Sequence, residues 1–158
     1  MKKLLLLLTI VSLPSFASVS ANVSFTSDYI WRGMTQSDGP AIQGGFDYAS
    51  DGGFYAGIWG SNVNFNDGAG SELDYYFGYG FDMGGVGVDI GYIAYDYPDN
   101  DSDLNFEEIY VGLSMGDLGL LYASGVDGAP DYMEVSYGFG DVGISYGQYD
   151  DYGDNLGI

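Results

Sequence analysis

Arg32 is the only lysine or arginine beyond the third residue of this 158-residue chain, and it stands among 23 aspartates and glutamates. A lone cation among acids must be paired, so its partners are the first chemical question. Alternation along a predicted strand over 23–34 puts Arg32 on one face with Asp28, Thr26 and Ser24, opposite Phe25, Tyr29 and Trp31. The acids that face the same interior are Asp28, Asp47, Asp74, Asp89, Glu108 and Glu134. Two roles follow for Arg32 and its ring of acids. One is a structural network of ion pairs. The other is a constriction charge that sets ion selectivity. Either way, removing Arg32 would leave carboxylates facing one another, with raised pKa values expected.

The chain has no His and no Cys. That removes the commonest general base, the commonest metal ligand and the cysteine nucleophiles. No spacing of carboxylates points to an enzyme, and no cofactor is expected. The run Pro98 to Asn105 has the Asp-x-Asp-x-Asp start of a calcium loop. Leu104 stands where the turn Gly is needed and Tyr110 where the bidentate Glu is needed, so a solvated acidic loop is expected instead. Trp31, Trp59 and the tyrosines read as aromatic belts at two membrane interfaces, with a sugar-stacking slide as the alternative.

The elements that carry these residues are strands. Nine are predicted, near 23–34, 41–49, 53–65, 72–82, 86–97, 106–115, 118–124, 132–139 and 142–149. In the fourth, Leu73, Tyr75, Phe77, Tyr79 and Phe81 alternate with Glu72, Asp74, Tyr76, Gly78, Gly80 and Asp82. The fifth, sixth and eighth alternate as cleanly. The third is less regular, and a bulge is expected there. One face is large and aromatic; the other is Gly, Ser, Asp and Glu. Lipid requires that inversion of a sheet that closes on itself. Connections alternate long and short: Thr35–Pro40, Asn66–Ser71, Pro98–Asn105 and Gly125–Asp131 against tight Gly/Asp turns. An up-and-down barrel makes long external loops and short periplasmic turns in that order.

The expected fold is therefore all-β: an antiparallel up-and-down transmembrane β-barrel, with about nine strands present and incomplete. An odd count, with Asp150–Ile158 read as the start of a fifth external loop, suggests a fragment lacking a closing strand. Residues 1–21 read as a secretory signal: Lys2-Lys3, an apolar run over Leu4–Leu13, and small-residue sites ending at Ala17 or Ala21. Cleavage after Ala21 is preferred, leaving residues 22–158 as the barrel domain in the cell outer membrane.

The formal net charge of -20 excludes nucleic-acid binding, because phosphates cannot be neutralised. With 46% hydrophobic and 17% aromatic residues, that acidity does not mean disorder. Acids lining a lumen favour cations, so passive diffusion of small solutes with a cation preference is expected. A barrel without an open pore, acting structurally or through its loops, is the alternative. Expected partners are outer-membrane lipid and lipopolysaccharide, small solutes or cations, and the machinery that assembles barrels.

Three segments carry a family resemblance. Val23–Ser37 (VSFTSDYIWRGMTQS), Pro40–Tyr48 (PAIQGGFDY) and Gly53–Val63 (GFYAGIWGSNV), continued by Glu72–Tyr76 and Asp89–Tyr92, resemble the TorF family of porin-like proteobacterial proteins. The resemblance covers roughly residues 22–113. It implies an outer-membrane barrel with no catalytic residue and no cofactor.

Overall fold

A computed structural model describes residues 17–66, 68–98 and 104–158. The apolar stretch of the expected signal and most of the acidic run 98–105 lie outside them. The period-two pattern folds as read. Ten strands form one antiparallel sheet: β1 (Ser18–Thr26), β4 (Ala41–Ala49), β5 (Phe54–Asn62), β6 (Ser71–Asp82), β7 (Gly87–Asp96), β8 (Phe106–Met115), β9 (Leu118–Gly125), β10 (Tyr132–Phe139), β11 (Val142–Tyr149) and β12 (Gly153–Gly157). They pair strictly with their neighbours in that order. Two further short strands, β2 (Ile30–Trp31) and β3 (Met34–Thr35), pair only with each other.

The two faces are inverted relative to a soluble sheet. In β6, Tyr75, Phe77 and Tyr79 are half exposed while Glu72 and Asp74 are buried. Among the described residues, the largest fully buried side chain is that of Glu108. The polar face is the concave one. Tyr55 on β5 reaches Tyr110 on β8 at 2.5 Å between hydroxyls, which requires the sheet to curl over the strands between.

Glycines make that curl fit. Gly57, Gly78 and Gly91 lie in register opposite Tyr76, Tyr55 and Tyr110, and a Cβ at any of them would run into the facing phenol ring. Each inward tyrosine therefore lies over a bare stretch of backbone, with its hydroxyl held towards the interior.

Four sequence expectations are corrected. The sheet has ten strands, because Gly153–Gly157 pairs with Ser145–Tyr149 and is not loop. Its five residues alternate too briefly to stand out, so the odd count behind the fragment reading does not hold. The sheet does not close: β1 and β12 are its two edges and do not pair with each other. The first strand ends at Thr26, and residues 30–35 form a separate hairpin. The bulge is missing as well, since Phe54–Asn62 pairs residue by residue with Ser71–Tyr79.

Candidate functional site

Trp31 and Arg32 continue the apolar/polar alternation of a strand, yet the chain turns there. Arg32 and Gly33 both take positive φ (48° and 79°), as a two-residue hairpin between Trp31 and Met34 requires. The hairpin folds into the concave face. A Cβ on Gly33 would lie 2.6 Å from that of Asn155 on β12, so only glycine fits there. Loop hydrogen bonds fix the hairpin's base: Gln36 N–H to Tyr29 O at 2.7 Å, and Asn64 N–H to Gln36 O at 2.7 Å.

At the tip, Arg32 meets Glu108 in a two-pronged ion pair, Nη1 to Oε1 at 2.6 Å and Nη2 to Oε2 at 2.7 Å. Glu108 is 1% exposed. The guanidinium carbon lies 4.1 Å from the ring centres of Trp31 and Tyr132 and 4.9 Å from that of Tyr149. Tyr95 donates to Glu108 at 3.3 Å. Trp31 in turn packs edge-on against Tyr95 and Tyr149. The protein has thus built a box for a cation from aromatic faces and one carboxylate.

The other acids do not gather around Arg32. Asp28 accepts from Thr35 Oγ1 at 2.6 Å and Ser37 Oγ at 3.1 Å and braces the base of the hairpin. Asp47 accepts from Tyr76. Asp89 accepts from Tyr55 at 2.7 Å and Glu134 from Tyr132 at 2.7 Å. Asp74 lies buried beside Glu72, which shares its polar face in the alternation of the strand. Both tryptophans lie on the inner side, Trp59 edge-on against Tyr29, so neither belongs to an outer belt. The inward tyrosines were the missed part of the site. Their signal was legible: a tyrosine faces a glycine at three cross-strand positions, two between β5 and β6 and one between β7 and β8.

The Glu72–Asp74 pair has no cation. Glu72 Oε1 accepts from Tyr29 at 2.9 Å, whereas Glu72 Oε2 and Asp74 Oδ1 are buried with no hydrogen-bond partner among the described residues. Unpartnered buried acceptors cost about 1–3 kcal/mol each. Asp74→Asn is therefore expected to raise the unfolding free energy by about 1–3 kcal/mol, read from urea titration in detergent micelles. A lowered midpoint would show that the pair has a stabilising role.

Outside the strands, two half-buried loop acids are held below the ordinary carboxylate value of 3.8, Asp28 chiefly by the Thr35 hydroxyl and Asp131 chiefly by the Tyr122 hydroxyl. A depressed folded pKa contributes stability that is present above the ordinary value and lost as pH falls through the lowered one. Gly125 N–H donates to Asp131 at 2.9 Å, so its amide NMR signal is expected to titrate with a midpoint below 3.8. A midpoint at or above 3.8 would mean the clamp is absent in solution.

A family model described as a bacterial protein of unknown function (Gcw_chp) matches residues 13–150. The chain belongs to the Gcw_chp family. The resemblance to the TorF proteins is thereby corrected, since no TorF match is found and the segments behind it all fall inside the Gcw_chp match. No curated protein and no solved structure matches the chain. The Gcw_chp match takes in the hairpin, Glu108 and every inward tyrosine named above, and ends before β12.

Proposed function

We propose that this Gcw_chp chain is an outer-membrane β-barrel through which small solutes diffuse, with cations preferred. The observation that carries the reading is the inverted sheet. Phe25, Phe46, Phe77, Phe139 and Leu156 are half or more exposed on the convex face, while the acids face inward. Leaving such side chains in water forgoes about 1.5–3 kcal/mol each relative to burial. A bilayer core removes that deficit and demands closed backbone pairing, so β1 and β12 would meet in lipid. No described helix is long and apolar enough to cross a membrane.

Residues 1–21 carry the features of an export signal, and the protein would meet lipopolysaccharide and the barrel-assembly machinery on its way to the outer membrane. Ser18–Ala21 pairs with Phe46–Ala49, so this pairing favours cleavage after Ala17, which leaves β1 whole, over the Ala21 site preferred from the sequence alone. The intact mass of protein extracted from outer membranes is expected to correspond to a Ser18 N-terminus. A mass beginning at Asn22 would mean β1 loses four of its nine residues.

A second reading, a barrel without an open pore, is favoured by one observation: the β2–β3 hairpin occupies the interior and is pinned by the Arg32–Glu108 pair. A planar bilayer under a KCl gradient separates the two. Discrete conductance steps with a cation-favouring reversal potential support the pore. A folded, inserted protein that never conducts supports the plugged barrel.

A further inference from the structure

The Arg32 box forms one side of a larger, open cavity whose other carboxylates, Asp89 and Glu134, have no ion pair among the described residues. The cavity, of about 680 Å³, is lined by Tyr55, Tyr76, Tyr110, Asp89 and Glu134 together with the residues of the box. Its size falls within the usual range for small-molecule sites.

The wall selects its ligand by what it has left to offer. Tyr55 already donates to Asp89, Tyr76 to Asp47 and Tyr132 to Glu134. Those hydroxyl hydrogens are therefore committed, and what faces the cavity is chiefly carboxylate lone pairs and ring faces, with Ser145 and Asn155 as the remaining uncharged polar side chains. An anion would be repelled. A sugar needs donors as well as acceptors and would find few. A bare metal ion needs several oxygens drawn close around it, and no group of three or more metal-ligating acids occurs among the described residues. Arg32, the only cation among those residues, is bound to Glu108. A positive, N–H-bearing or methylated ligand with an apolar body satisfies both the carboxylates and the rings. Arg32 shows the arrangement working at the edge of the same cavity, held by Glu108, Trp31, Tyr132 and Tyr149.

We propose that this cavity binds a small organic ammonium ion, through Asp89 and Glu134 and the faces of Tyr55, Tyr76 and Tyr110. The inference rests on the reading of the concave face as a lumen but not on an open pore.

The test is equilibrium titration of the full chain, folded in detergent micelles, followed by Trp fluorescence, since Trp31 lines the same cavity. The probes are choline, its neutral isostere 3,3-dimethylbutan-1-ol, and glucose. Choline is expected to saturate, with the neutral alcohol at least about tenfold weaker. Asp89→Asn and Glu134→Gln, which keep an acceptor for their tyrosines, are each expected to weaken choline about tenfold. Asp51→Asn, the same charge change in an exposed turn, is expected to leave it unchanged. Equal binding of choline and the alcohol, preference for glucose, or no saturation by a folded protein would overturn the inference. Those results leave the barrel standing, because folding and cation-selective conductance are read separately.

Discussion

Glu108→Ala is expected to destabilise the fold by about 3–5 kcal/mol, because it leaves the Arg32 guanidinium buried without its carboxylate. The pair is no surface ion pair: the two side chains are 8% and 1% exposed. Arg32→Ala is expected to cost a similar amount, since Glu108 would keep only the 3.3 Å bond from Tyr95. Replacing both, as Arg32→Met with Glu108→Leu, is expected to restore most of the loss, because neither charge is then stranded. Urea midpoints in detergent micelles give the energies. Trp31 supplies a second signal: once the tip is free, its emission should shift to the red as it leaves Tyr95 and Tyr149. A Glu108→Ala loss below about 1 kcal/mol would place the pair among solvated surface bridges instead.

The second large effect is expected at a glycine. In Gly91→Val the new side chain would occupy the space of the Tyr110 ring, opposite it in register. Tyr110 must swing away, breaking its 2.5 Å contact with Tyr55, which also serves Asp89. Overpacking costs about 1–3 kcal/mol, and the lost hydroxyl–hydroxyl hydrogen bond about 0.5–1.5 more. Gly143→Ala on β11 is the contrast, because a Cβ there meets nothing within 4 Å. Adding Tyr110→Ala to Gly91→Val is expected to recover the packing part of the loss. Equal stability of the Gly91 and Gly143 variants would show that the tyrosines do not depend on the glycines beneath them.

What was legible in the chain follows from what is local. Alternation in β6, β7, β8 and β10 is written residue by residue, and tight Gly/Asp turns fix the neighbours, so strand order and facing could be read. Arg32 was misplaced because Trp31-Arg32 keeps the strand rhythm while its backbone turns; only Gly33 hinted at a hairpin. Glu108 could not be singled out from five other acids. That choice depends on how far the hairpin reaches into the curl, a property of tertiary packing. β12 escaped notice because Gly153–Gly157 has a single large apolar residue, Leu156. β1 and β12 stay apart as the two edges of the sheet.

The inverted sheet is the claim on which the rest depends, and the chain has no cysteine among its residues, so single labels can be placed cleanly. The most direct measurement is spin-label accessibility along β6 in lipid vesicles, using Tyr75→Cys, Phe77→Cys and Tyr79→Cys against Asp74→Cys and Tyr76→Cys. The account predicts that labels at 75, 77 and 79 are relaxed by oxygen dissolved in the bilayer and shielded from a water-soluble nickel reagent, while those at 74 and 76 show no such exposure to lipid. Nickel-accessible labels at 75, 77 and 79, or no alternation at all, would contradict it.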